Sequence, residues 1–262
     1  MERELVHCSV DRGVALLTLD DPPVNGYSYP MMRALDECIL RARMDDSVHV
    51  IVITGAGEKF FCAGASIDML RSVTETFKYY FCLHANETLL RLEQTPKLVI
   101  AALNGHSVGG GFEIALGCDL RFSRRGSFKV GLPEVALGVL PGTGGTQRLA
   151  RLVGKARALE LMVEGRNLDV DEALKHGLVH RIVDGEPFLE KVLEIARQYC
   201  PPNKASMAVG HIKRAVQSGA EVSLESGLAL ERELQARLFA SEDCQTGLKA
   251  YLDKTKAEFR GR

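Results

Sequence analysis

Glu113 and Glu134 are the two residues of this 262-residue chain whose surroundings point most directly to acid–base chemistry. Glu113 ends the segment Asn104-Gly105-His106-Ser107-Val108-Gly109-Gly110-Gly111-Phe112-Glu113. Three successive glycines at a helix start leave backbone N–H groups open at the positive end of the helix dipole. Such groups can hold a phosphate or stabilise an oxyanion, and a carboxylate one turn in would stand beside them. Read alone, Glu113 is better explained as a first-turn residue that only complements the dipole. Glu134 ends Lys129-Val130-Gly131-Leu132-Pro133-Glu134, among Val, Leu and Ala. A carboxylate in apolar surroundings is paired or functional, unless its loop simply carries it into solvent. A third segment, Phe60-Phe61-Cys62-Ala63-Gly64-Ala65-Ser66-Ile67-Asp68, has small residues that let a ligand approach the backbone. Its bland alternative is a strand-to-helix turn with Ser66 as N-cap.

Several other chemistries are a poor match. The triple glycine lacks the Gly-Lys-Ser/Thr ending of a P-loop and the GxGxxG spacing of a dinucleotide site. Gly105-His106-Ser107-Val108-Gly109 has the bare GxSxG spacing of a serine hydrolase, but a triple glycine and Glu113 follow it, where a sharp strand–Ser–helix elbow is required. The histidines are scattered, without metal-ligand spacing, so no metal is expected. The seven cysteines are odd in number and show no CxxC spacing, which favours reduced thiols in a cytoplasmic protein. With 33 Lys+Arg against 34 Asp+Glu, no basic stripe invites nucleic acid or an acidic membrane surface. The polar start MERELVHCSVDRG is unlike a signal peptide, and no apolar run approaches a membrane span.

The elements that must position these residues follow from periodicity. Val14–Leu19, Val48–Thr54 and Leu98–Leu103 are short apolar runs and predict buried strands, and Asp119–Phe122 is strand-like. Pro30–Met44 and Ser72–Glu93 have helical spacing, with Pro30 suited to a first turn. Strand alternating with helix predicts an α/β chain with mostly parallel pairing. After about Leu152 strand runs nearly vanish, and Ala156–Val163 and Val170–His176 read as helices. Pro201-Pro202 is the sharpest break, which predicts a core over residues 1–200 and a helical region over 201–262. That region comprises Ala205–Gln217, Leu224–Phe239 and a helix starting at Ser241. Its apolar stripe, Leu224, Leu228, Leu234 and Leu238, must pack on the core or on another subunit.

Taken in order, Pro22-Pro23-Val24-Asn25, Phe61-Cys62-Ala63-Gly64-Ala65, Asn104-Gly105 through Glu113, and Leu132-Pro133-Glu134 through Leu140-Pro141-Gly142-Thr143-Gly144-Gly145-Thr146-Gln147-Arg148-Leu149 resemble the enoyl-CoA hydratase/isomerase (crotonase) superfamily. Ser241-Glu242-Asp243 and Ala250-Tyr251-Leu252-Asp253-Lys254 are similar to its closing helix. The resemblance spans nearly the whole chain. It implies a spiral of repeated ββα units followed by a helical trimerisation region, and assembly as a homotrimer or hexamer. By position it implies that the N–H groups of Ala65 and Gly110 form an oxyanion hole for a thioester carbonyl, with Glu113 and Glu134 as the two catalytic glutamates, Glu113 assigned to the water and Glu134 to the C2 proton. Val24, Ala63, Gly64, Ser66, Ile67, Asp68, Pro133, Gly142 and Lys254 are implied to contact the acyl-CoA. The implied reaction is hydration of a 2-enoyl-CoA without a separate cofactor. Alternatives are double-bond isomerisation, a branched or cyclic substrate, or non-catalytic CoA-ester binding. Departures are Ser66 where many members carry Asp, Tyr251 for Phe, and Gln245-Thr246 where many have Glu before the Gly.

Overall fold

A computed structural model describes residues 3–262, except the side chain of Asp68. The strands are β1 (Val6–Asp11), β2 (Val14–Leu19), β3 (Val50–Gly55), β4 (Phe60–Cys62), β5 (Leu98–Leu103), β6 (His106–Val108), β7 (Leu120–Arg124), β8 (Val130–Gly131), β9 (Asn167–Leu168) and β10 (Arg181–Val183). The helices are α1 (Tyr29–Met44), α2 (Ile67–Ser72), α3 (Glu75–Gln94), α4 (Gly110–Leu116), α5 (Gly145–Val153), α6 (Lys155–Val163), α7 (Val170–Lys175), α8 (Phe188–Arg197), α9 (Ser206–Gly219), α10 (Leu224–Phe239) and α11 (Glu242–Asp253).

The strands form a six-stranded sheet of order β1-β2-β3-β5-β7-β10 and a four-stranded sheet of order β4-β6-β8-β9. The chain winds between them. In β3–β4, β5–β6 and β7–β8 the first strand joins the large sheet and the second joins the small one, and successive turns pair in parallel, β3 with β5 and β5 with β7 in the large sheet, β4 with β6 and β6 with β8 in the small one. This is the expected spiral of ββα turns. Every residue of β3 is buried, as a parallel strand covered on both faces requires. Asn104 ties successive turns together: its amide donates to Gly55 O (3.0 Å) and Gly57 O (2.8 Å) and accepts from Gly55 N (3.1 Å).

The sequence patterns need correcting or completing in four places. The helix expected over Ser72–Glu93 begins at Glu75, because Thr74 caps a new helix by accepting from Phe77 N (3.1 Å), after α2 has ended. The strand expected from Val48 begins at Val50, because Val48 N closes a turn onto Asp45 O (3.1 Å). After Leu152 only the short β9 and β10 follow among the described residues, and neither carried an expectation: β10 extends the large sheet beside β7 and β9 extends the small one beside β8. β1 and α8 carried no expectation: β1 is an antiparallel edge strand with only Val6 buried, so its pattern reads as polar.

The C-terminal helices pack on the same chain. α9 lies against α3 and β5, α10 against α9, and α11 against α10. Buried Lys213 on α9 joins Asp119 (2.8 Å) and donates to Leu92 O (2.8 Å) and Lys97 O (3.0 Å). The apolar stripe on α10 is split: Leu234 is buried, whereas Leu224 and Leu228 are exposed.

Candidate active site

Two loops meet at the junction of the sheets. The first, after β4, is held by the segment that precedes α1. Ala63 N donates to Val24 O (3.1 Å), Tyr27 N donates to Gly64 O (2.9 Å), and Tyr27 pairs with Ala65 in a parallel bridge. Asn25, at φ +53°, pins that segment by donating its amide to Ala56 O (3.0 Å) and Phe60 O (2.9 Å). The second loop is the entry to α4, where Gly109 N donates to Gly131 O (2.9 Å). The loops are in contact: a Cβ built on Gly64 would stand 3.2 Å from Gly110 N. A Cβ on Gly111 would stand 2.0 Å from Cys62 O, so that glycine is required by packing. Among the described residues, neither the Ala65 nor the Gly110 N–H donates to a protein acceptor.

A cavity of about 750 Å³ opens here, lined by Ala63, Gly64, Ala65, Ile67, Gly110, Glu113, Pro133, Glu134 and Gly142 among others. Of the residues expected to contact substrate, Val24, Ser66 and Lys254 do not line it. Val24 acts through its carbonyl, and the Ser66 side chain caps α2 by accepting from Met69 N (3.4 Å). Lys254 is an exposed residue ending α11, and the side chain of Asp68 lies outside the described residues. Ser107 is fully buried within β6, opposite Val130, and not on an elbow, so it has no nucleophile's place.

The two glutamates line this cavity in different settings. Glu113 is 3% exposed and more than a helix-end charge. Its Oε1 accepts from Thr143 N (2.8 Å) and Gly145 N (2.8 Å), and its Oε2 accepts from the Thr143 hydroxyl. Glu134 begins a single 3₁₀ turn, Glu134–Leu137, and its buried Oε2 has no hydrogen-bond partner among the described residues. Burial, reinforced by the Glu113 charge, pushes the Glu134 carboxyl up to about 7. One acid thus has every support for charge and the other has little, a division suited to paired acid and base roles.

The stretch Met69–His84, expected from its aromatics Phe77, Tyr79, Tyr80 and Phe81 to wall the pocket, does line the cavity, but through residues such as Leu70, Arg71 and Lys78 and none of those four; the polar lining residues Tyr27 and Thr143 carried no expectation. Thr143, a branched residue set between Gly142 and Gly144, was the available clue to a side-chain role in that loop. Tyr27 sits in Asn25-Gly26-Tyr27-Ser28 with no pattern to mark it as a cavity residue.

The same arrangement of sheets and loops recurs in solved structures. The crystal structure of an enoyl-CoA hydratase from Geobacillus kaustophilus superposes with TM-score 0.96 at 41% identity, covering 100% of this chain and 98% of that one. The short-chain-enoyl-CoA hydratase of Clostridium acetobutylicum is 36% identical, covering 100% of both chains. The crotonyl-CoA hydratase of Syntrophomonas wolfei is 33% identical over 99% of each. The profile of the Enoyl-CoA hydratase/isomerase family matches residues 9–262. With the fold, the loop pair and the full-length similarity in agreement, the chain belongs to the enoyl-CoA hydratase/isomerase family.

Proposed function

We propose that this protein adds water across C2=C3 of a 2-enoyl-CoA to give a 3-hydroxyacyl-CoA. The observation that carries this reading is that Glu113 and Glu134 line one cavity with the N–H groups of Ala65 and Gly110. Attack of water at C3 moves charge onto the thioester oxygen. Two fixed donors stabilise such an oxyanion by roughly 3–4 kcal/mol each. Glu113, with three donors already on its carboxylate, takes the proton of water. Glu134, protonated below about 7, delivers a proton to C2. The carboxylates and backbone donors supply all the charge stabilisation this addition needs, so no separate cofactor is proposed. Arg71 and Lys78 on the cavity wall suit the phosphates of an acyl-CoA.

The chain is proposed to self-associate. Leu224, Leu228, Phe239, Leu248 and Leu252 are exposed on α10 and α11, more apolar surface than isolated helices need. Sedimentation at micromolar concentration tests this, and a monodisperse monomer refutes it. Among the described residues no helix is long and apolar enough to cross a membrane. All seven cysteines are free, which supports a reducing compartment and a cytoplasmic setting.

The functional test follows crotonyl-CoA by mass spectrometry. A product heavier by one water is expected; isomerisation without mass gain would refute hydration. Gly110→Pro removes the N–H assigned to the oxyanion and is expected nearly to abolish turnover in a protein of unchanged circular dichroism. A folded Gly110→Pro protein of undiminished rate would remove the hole from the mechanism.

A further inference from the structure

The donors that support Glu113 sit on a segment with little else to hold it. Among the described residues, the backbone from Leu140 to Thr143 makes no hydrogen bond to other main-chain groups. The segment is rich in glycine, and Gly144 lies at φ +107°, a conformation that other residues rarely adopt. It also has open space on more than one side. Gly142 and Thr143 line the cavity of the two glutamates, while Gly142 and Gly144 line a second cavity of about 830 Å³. A segment without a backbone ladder or dense packing is poorly suited to aim an N–H group. Yet Thr143 N and Gly145 N each stand 2.8 Å from Glu113 Oε1. Donors that are to hold a reacting carboxylate in place must themselves be held by something else.

Arg148, one turn into α5, supplies that hold. Its Nη1 donates to Thr143 O (3.1 Å). Its other two nitrogens form a fork on Glu93 of α3, Nε to Oε1 and Nη2 to Oε2, each at 2.7 Å. The two side chains are 15% and 17% exposed, so the pair is largely shielded from water. A planar guanidinium fixed at two corners presents its third corner in a set direction. Gly144 leaves room for it, since a Cβ there would run into the Arg148 guanidinium. Thr143 is therefore clamped from both sides. Its N–H and hydroxyl donate to Glu113, and its carbonyl accepts from Arg148. A tie between α3 and α5 needs only the Glu93 fork, and the contact with a loop carbonyl adds nothing to that tie.

We propose that Arg148, anchored by Glu93, is a positioning residue for the reaction: through the Thr143 carbonyl it fixes the donors that aim Glu113 at the reacting water. The inference rests on the hydratase reading above. Arg148 does not line the cavity of the two glutamates and moves no proton. Its effect is on geometry alone, and a displacement of about 1 Å in a positioned group can cost on the order of 100-fold in rate. The Ala65 and Gly110 donors belong to other loops, held by Val24, Tyr27 and Gly131. Loss of the Arg148 contact should therefore strike turnover and spare the binding of the thioester.

Two variants test this. Glu93→Gln combined with Arg148→Met removes both charges together, so that neither is left buried and unpaired. Arg148→Lys keeps the charge opposite Glu93 but loses the fork, and it carries the same test if the double variant does not fold. Each is compared with wild type for hydration of crotonyl-CoA and for affinity toward butyryl-CoA, a saturated ester that takes no water. Each is also made in a Glu113→Gln background, with product followed over hours by mass spectrometry. The expected result is a kcat lowered about tenfold or more, with Kd for butyryl-CoA within about twofold of wild type. In the Glu113→Gln background the same changes should lower the residual rate by less than about twofold, because a residue that acts through Glu113 has nothing left to aim. A kcat within about twofold of wild type overturns the proposal. So does an equal loss in both backgrounds, a parallel weakening of butyryl-CoA binding, or failure of both variants to fold, each of which would make the pair a structural tie. A wild-type enzyme that fails to hydrate crotonyl-CoA would instead sink the hydratase reading itself.

Discussion

The two walls of the cavity are built on opposite principles. On the α4 side, Glu113 comes from a fully buried helix and is met by two backbone N–H groups and a hydroxyl. On the other side, Glu134 comes from a short turn whose following residues are exposed, and its Oε2 meets no protein group. Rigid support with ready donors suits a carboxylate that must keep its charge and accept a proton. An unsupported carboxylate near a like charge is pushed toward the neutral form and can give a proton away. Two identical side chains thus stand in different hydrogen-bonding settings, which the proposed reaction would use for different roles.

The broadest way to break the comparison is to neutralise each wall in turn. Glu113→Gln and Glu134→Gln are each expected to lower turnover by at least about 100-fold, the scale of general acid–base groups, with acyl-CoA binding largely kept. Near-wild-type turnover in either variant would remove that residue from the mechanism. A more selective cut is Thr143→Val, which keeps the shape and takes one donor from Glu113. A hydrogen bond to a charged group is worth roughly 1.5–3 kcal/mol, so kcat/KM should fall by about tenfold or more. An unchanged kcat/KM would mean that the two backbone donors suffice.

The asymmetry also fixes a pH response. In the proposed reaction Glu134 must be protonated to serve C2, and burial raises its carboxyl to about 7. In the free enzyme, kcat/KM should therefore fall as pH rises through about 7, and this basic limb should be absent from the residual activity of Glu134→Gln. A wild-type profile flat from pH 6 to pH 8, on the order of one unit either side of that value, would contradict the assignment.

Much of this site was legible in the sequence, and the unreadable part has a common cause. Glu113, Glu134, Gly110 and Ala65 are marked by loops whose glycines and short chain spacing are visible in one dimension. The strands β2 and β5 are continuous apolar runs bounded as expected, because a strand buried on both faces needs no partner to be recognised. β1 was not, because an edge strand with one buried residue carries its pattern in its neighbour. Tyr27 and Thr143 were missed for a similar reason. Their contacts with Phe81 and Glu113 span more than 29 residues of chain, and nothing local distinguishes a tyrosine that faces a cavity from one that fills a core. The separate support of Glu113 and Glu134 is likewise a property of tertiary contacts.

The smallest expected effect is on stability, and it tests the Glu134 wall without any substrate. The ordinary value of 4.5 applies to Glu134 in the unfolded chain, against about 7 in the folded one. Below 4.5 both states hold the proton and the residue contributes no pH dependence. Between 4.5 and about 7 the unfolded chain releases the proton while the folded one keeps it. The folded state then binds more protons, so stability falls with rising pH across that window. Above about 7 the full cost of burying the charge is present. Glu134→Gln is neutral throughout and escapes that cost. Its Tm should therefore exceed that of wild type at pH 8, and the advantage should shrink as pH falls toward about 5. Other titrating groups are shared by the two proteins, so they cancel in the difference. A Tm difference independent of pH, or a variant less stable than wild type at pH 8, would show that Glu134 is better solvated than its setting implies. In that case its role as the proton donor to C2 would lose its physical basis.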